Sequence, residues 1–141
     1  MIQLQKGTLN TVYLTLTEKM SSATNYTLIR LTCQATSKAI LLLPRSRAHD
    51  ARKDTLTIRE GSTDAPALGD IMLNTPQFPE GFYDYTIWEQ TSSSNLDPAD
   101  ASVIGIIEEG MSYIRDNSTA YQESTYTAYN PTQTDYVYAK D

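Results

Sequence analysis

The stretch that decides the fold is GFYDYTIWEQ, residues 81–90. In it Tyr83, Tyr85 and Ile87 alternate with Phe82, Asp84, Thr86 and Trp88. Successive side chains of a strand point to opposite faces, so a period of two predicts a β-strand. Aromatic and β-branched residues fit a pleated, half-buried surface, which strengthens the reading.

A glycine followed by Tyr-x-Tyr at the entry to a late strand resembles the tyrosine corner of immunoglobulin-like sandwiches. There the first tyrosine hydrogen-bonds back onto the loop before the strand. The disulfide of antibody domains has no counterpart, because Cys33 is the only cysteine. It falls in a predicted strand and is expected to act as a small buried hydrophobe.

Working outward, the same period recurs. Thr11–Thr17 (TVYLTLT) places Val12, Leu14 and Leu16 on one face and threonines and Tyr13 on the other. Tyr26–Cys33 (YTLIRLTC) has apolar residues on both faces, as a central strand requires. Lys38–Leu43 follows a tight connection through Ala35-Thr36-Ser37 and stops at Pro44, which cannot donate to a ladder. Asp54–Arg59 alternates with Leu56 and Ile58 inward, and Ile2/Leu4 and Ile71–Leu73 are shorter strands. Met20–Asn25, Glu60–Asp70, Thr75–Glu80 and Thr91–Ala101 carry turn chemistry. Arg45–Lys53 (RSRAHDARK) has no apolar periodicity and is expected to be a polar loop or one turn of helix. In Val103–Arg115 (VIGIIEEGMSYIR), Gly105 and Gly110 are expected to mark a bulge and then a turn or kink. Eight or nine short strands and no amphipathic helix predict an all-β chain: an immunoglobulin-like antiparallel β-sandwich over residues 1–116.

The remaining residues, 117–141, read NSTAYQESTYTAYNPTQTDYVYAKD and contain five of the ten tyrosines but no Leu, Ile, Phe, Met or Trp. That composition cannot bury enough aliphatic surface to offset its own ordering entropy. Tyrosine and threonine are nevertheless strand formers, and tyrosine offers a large contact area with few torsions to freeze. The segment is expected to be an extended C-terminal arm that orders against something else, through Tyr121, Tyr126, Tyr129, Tyr136 and Tyr138, with Pro131 stiffening it.

Net charge is -6, which argues against a general nucleic-acid binder. Residues 1–60 hold nine Lys/Arg and four Asp/Glu (+5), and residues 61–141 hold two and thirteen (-11). Arg45, Arg47, Arg52 and Lys53 concentrate the positive charge into a candidate interaction loop. Either strands from the two halves interleave and the charges mix, or a basic loop meets an acidic face of a neighbour.

Nothing here has the look of an enzyme. His49 is the only histidine and lies in the arginine-rich stretch, and no nucleophile elbow, metal-ligand spacing or phosphate loop is present. Glu108 and Glu109 are neighbours on a strand and point apart. Asn95, Asp97 and Asp100 lack the spacing of a calcium loop and suit turns instead. No catalytic residue, cofactor or metal is therefore expected. The longest apolar run, Ala39–Leu43, is far short of the ~20 residues a membrane helix needs. The opening MIQLQKGTLN lacks the pattern of a secretory signal, so synthesis in a cytoplasm is expected.

Three segments carry a family resemblance. KGTLNTVYLTLTEK (6–19), GFYDYTIWEQTSSSNLDPADA (81–101) and IIEEGMSYI (106–114) resemble a family of small β-rich virion structural proteins of tailed bacteriophages of Bacteroidetes hosts, including the crAss-like phages. The shared features are a basic residue and Asn before an alternating strand ending in T-x-T-E-K, a glycine and tyrosine strand running into Glu-Gln and an N-L-D-P loop, and an E-E-G turn into a last strand. The resemblance implies an auxiliary (decoration) protein on the capsid surface, made in the bacterial host cytoplasm. Its partners would be the major capsid protein and neighbouring copies of itself or other virion proteins, with no membrane and no nucleic acid. The alternative is a head-fibre or tail component that binds a receptor or carbohydrate, with exposed tyrosines and Trp88 as stacking surfaces.

Overall fold

Among residues 1–73 and 76–116, which the computed structural model describes, nine strands follow one another in chain order. They are β1 (Ile2–Gln5), β2 (Leu9–Leu14), β3 (Tyr26–Cys33), β4 (Ala39–Leu42), β5 (Ser46–Asp50), β6 (Lys53–Glu60), β7 (Asp70–Ile71), β8 (Gly81–Gln90) and β9 (Val103–Arg115). Two short 3-10 turns, Thr17–Lys19 and Pro66–Leu68, are the only helical pieces among these residues. The arm, with Tyr121, Tyr126, Tyr129, Pro131, Tyr136 and Tyr138, lies outside the described residues.

The chain is an all-β sandwich. One sheet has the order β1-β9-β8-β3-β4, and the other has the order β2-β6-β5 with β7 against β6. Their inner faces share one core, built from Ile29, Leu31, Tyr83, Tyr85 and Ile87 on the first sheet and Val12, Leu56 and Ile58 on the second. Each fully buried aliphatic side chain contributes about 1.5–3 kcal/mol by leaving water. Cys33 is buried in this core as a free thiol.

The sheets are not purely antiparallel, as the alternation alone led one to expect. β1 runs parallel to β9, and β7 parallel to β6. The cause in the first case is a change of sheet. Gly7, at φ 76°, turns the chain from the first sheet to the second. The Asn10 side chain closes this corner by accepting from the Gln5 amide at 2.7 Å and donating to the Gln5 carbonyl at 3.0 Å. Lys6, buried beside it, donates from Nζ to the Phe78 carbonyl at 2.7 Å.

Two local expectations are corrected. Arg45–Lys53 is neither loop nor helix: Ser46–Asp50 is strand β5, paired antiparallel with β6. Cross-strand pairing supplies its conformation, which needs no apolar period of its own. Gly110 makes no turn either, since β9 is one continuous strand of 13 residues. Its alternation breaks because of two register shifts, one leaving Ile107 and the other Ile104 without a direct partner on β8. Gly105 lies between them, where a bulge was expected.

The tyrosine corner's hydrogen bond is present. Tyr83 donates from its hydroxyl to the Pro79 carbonyl at 2.7 Å. Burial, with Cys33 opposite it, pushes the phenol far above its ordinary range, so it remains a donor.

Candidate binding groove

β4 and β5 are the last strands of their sheets, and only Leu43, Pro44 and Arg45 separate them in the chain. Pro44 stops one ladder and the chain steps straight onto the other sheet. An open-sided groove of about 600 Å³ lies at this crossing, lined by Leu43, Pro44 and Arg45, by β5, by the start of β3 and by the second 3-10 turn. Tyr26 and Thr27 at the start of β3 form one wall, Arg45, Ser46, Arg47 and His49 another, and the exposed Leu68 of the second 3-10 turn a third.

Asp54 anchors the β5–β6 hairpin beneath this groove. Its buried carboxylate accepts from the Leu16 amide at 2.7 Å, the Thr17 amide at 2.8 Å and the Thr17 hydroxyl at 2.5 Å. Burial alone would raise its pKa, but the Thr17, Leu16 and Arg47 hydrogen bonds outweigh burial and hold it below the ordinary carboxylate value. Arg47 Nε lies 3.4 Å from Asp54 Oδ1, and its other nitrogens donate to the Asn25 carbonyl at 2.7 Å and the Thr17 hydroxyl at 3.0 Å.

The loop 20–25 that rims the groove hangs on a second buried acid. Glu89 on β8, 2% exposed, accepts from the Ser21 amide at 2.9 Å, the Ser21 hydroxyl at 2.7 Å, the Ser22 amide at 3.2 Å and the Asn25 side chain at 2.7 Å. Here too burial pushes the pKa up and the hydrogen bonds more than reverse it. Two charges from opposite sheets thus give the groove a fixed rim.

The four basic residues expected to act together are divided. Arg45 and Arg47 line the groove. Arg45 also pairs with Asp70 at 2.9 Å while staying partly exposed, whereas Arg47 is spent on internal bonds. Arg52 sits exposed in the hairpin turn, and Lys53 places its ammonium 4.6 Å from the Tyr13 ring centroid, away from the groove. The Arg45–Asp70 and Lys19–Glu108 pairs join the basic half of the chain to the acidic half, so the charges do mix in space.

Thr27 is a groove residue that the sequence reading did not single out. It is 2% exposed and its hydroxyl has no hydrogen-bond partner among the described residues. A buried hydroxyl left unpaired costs about 1–3 kcal/mol, so it is normally satisfied by something. The only signal was a hydroxyl at a position where the strand's alternation points inward.

His49 Nδ1 lies 3.4 Å from Asp54 Oδ1, and among the described residues His49 makes no hydrogen bond to a hydroxyl or thiol. Among the described residues no group of three or more His, Cys, Asp or Glu could hold a metal ion. Asn95, Asp97 and Asp100 each accept an amide of their own loop, from Asp97, Ala99 and Ser102, at 2.9 Å. Trp88 is not a stacking platform: it is 8% exposed, packed with Leu28 and Leu43, with the Arg30 guanidinium 4.9 Å from its ring centroid. No helix among the described residues is long and apolar enough to cross a membrane.

No protein-family model matches the chain, and no curated protein and no solved structure is similar to it.

The groove's chemistry is that of recognition. It offers the partly exposed Arg45, a phenol, apolar side chains and the edge of a sheet. These suit an extended peptide with acidic and aromatic side chains.

Proposed function

We propose that this chain is a virion structural protein, an auxiliary capsid protein that binds the major capsid protein lattice and stabilises a phage head. The observation that carries the reading is how the three phage-like segments meet in space. Lys19 of the first pairs with Glu108 of the third, and Glu108 accepts from the Tyr85 hydroxyl of the second at 3.3 Å. Within the second, Gln90 and Asn95 exchange hydrogen bonds, Gln90 Nε2 to the Asn95 carbonyl at 3.1 Å and Asn95 Nδ2 to Gln90 Oε1 at 2.9 Å. The motif residues hold one another in place, which supports reading them as the signature of a scaffold.

The strand order supports an immunoglobulin-like sandwich. β2-β6-β5 and β9-β8-β3-β4 follow the B-E-D and G-F-C orders of such domains, with β4 beside C and the first strand moved across to the last. The mechanism would be mechanical: the sandwich rests on the lattice, the arm 117–141 reaches a neighbour, and many equivalent weak contacts sum through avidity. The alternative, a fibre or tail module that binds a receptor or carbohydrate, loses Trp88 as a stacking surface but keeps the exposed Tyr13 and Tyr26.

Co-sedimentation of the purified protein with capsids lacking it tests this reading, comparing the full chain with a truncation after Asp116. Saturable binding, weakened by the truncation, is expected. Absence of binding by both forms would overturn it.

A further inference from the structure

Resting on that reading, we infer that the groove between the start of β3 and β5 is the receptor for the C-terminal arm, residues 117–141, of a second copy of this chain. Four observations converge. First, Thr27 lines the groove, and its buried hydroxyl has no hydrogen-bond partner among the described residues. Second, β5 is the outermost strand of its sheet, so an extended peptide laid along it continues the sheet by main-chain hydrogen bonds. Third, the side chains complement the arm. Arg45, partly exposed beside Asp70, offers a guanidinium, while Tyr26 and Leu68, 49% and 68% exposed, offer apolar surface. The arm carries Glu123, Asp135 and Asp141 against Lys140, a net -2, among its five tyrosines.

The fourth observation is position, and it selects a second copy over the chain's own arm. Tyr26 pairs with Gln90, and Gln90 with Val103, at one end of the first sheet. Gly81 pairs with Ile114 at the other end. The arm follows Asp116, so it leaves the domain at the end away from the groove, and from β9, which β8 separates from β3. Its 25 residues reach about 80 Å when extended, several times the ~14 Å radius of gyration of a domain this size. A neighbour placed end to end presents its groove where the arm emerges. The chain's own groove requires the arm to double back along the whole domain. The resulting contact is heterologous, arm of one copy to groove of the next, and builds a ring or an open chain.

Sedimentation velocity on the full-length protein over a range of concentrations tests this. Three forms are compared: wild type, a groove form carrying Arg45→Glu and Leu68→Glu, and an arm form carrying Glu123→Lys and Asp135→Lys. Wild type is expected to self-associate, and each variant to weaken association by about tenfold or more, because like charges now face each other. Mixing the two variants is expected to restore a one-to-one complex, since one contributes an intact arm and the other an intact groove. Leu68→Glu alone, at an exposed position, serves if Arg45→Glu impairs folding. Wild type that stays monomeric, association unchanged by the groove substitutions, or variants that fail to complement would each overturn the inference. Capsid co-sedimentation of the same forms separates it from the reading beneath it. Capsid binding without arm-to-groove association sinks the inference alone, and no capsid binding by any form sinks the auxiliary-capsid reading.

Discussion

Glu89 on β8 and Arg47 on β5 belong to opposite sheets and grip the same residue from two sides. The Asn25 side chain donates to Glu89 at 2.7 Å, while the Asn25 carbonyl accepts from Arg47 at 2.7 Å. The loop at the mouth of the groove is therefore clamped by an anion and a cation. Each bond to a charged group contributes about 1.5–3 kcal/mol, more than a neutral one.

Glu89→Gln should lower unfolding free energy by about 1–3 kcal/mol at pH 7. Denaturant titration followed by the fluorescence of the single tryptophan, the buried Trp88, measures this. Retention of full stability would show that the loop is held by other contacts.

Acid should destabilise the wild type through Glu89 and Asp54. Both have folded-state pKa values below their ordinary ones, so the folded state binds fewer protons than the unfolded chain. Their stabilisation is fully present above the ordinary values of about 4.3 for Glu and 3.9 for Asp, and is lost as pH falls through the lower folded values. The gap between wild type and Glu89→Gln should narrow across that window. A gap that is constant from pH 7 to pH 3 would contradict this assignment.

The two groove arginines should behave differently. Arg47→Ala strips a buried partner from Asp54 and from the Asn25 carbonyl, and should cost about 3 kcal/mol. Arg45→Ala removes a partly exposed pair with Asp70 and should cost about 1 kcal/mol or less. Thermal unfolding of both variants decides whether the order holds.

Gly110→Ala should destabilise by about 1–3 kcal/mol, because the added methyl would lie 2.7 Å from the Tyr85 hydroxyl and 2.8 Å from its ring. Tyr85 is buried and its hydroxyl is bonded to Glu108, so it cannot simply swing away. In a Tyr85→Leu background the same glycine substitution should cost markedly less. Equal costs in the two backgrounds would rule out the steric explanation.

Tyr83→Phe should cost about 1 kcal/mol, the value of one hydrogen bond with the ring left in place. Faster amide exchange in the residues just before β8 should accompany it, since the bond ties that turn to the strand.

Some of the structure was legible because it is written in local alternation. The bounds of β3 and β8 coincide with the predicted Tyr26–Cys33 and Gly81–Gln90, and the inward Leu56 and Ile58 of β6 are buried. The hydrogen bond from Tyr83 back to Pro79 was legible because a glycine and two tyrosines at fixed spacing require only the turn beside them. β5 was not legible: its residues are polar, and only β6 makes it a strand. The turn expected at Gly110 was a misreading for a related reason. A glycine required by a ring on the neighbouring strand looks, in one dimension, like a glycine required by a turn.

By itself the sequence determined the class of fold, since strand period, turn residues and buried faces depend on neighbours along the chain. Tertiary structure decided the rest. It set β1 parallel to β9, divided the basic residues between groove and surface, buried Trp88, and brought β5 beside the start of β3, where the Thr27 hydroxyl has no partner among the described residues. Each of these depends on which strands become neighbours in space, and strand pairing joins residues far apart in the chain, where no local pattern records the partner.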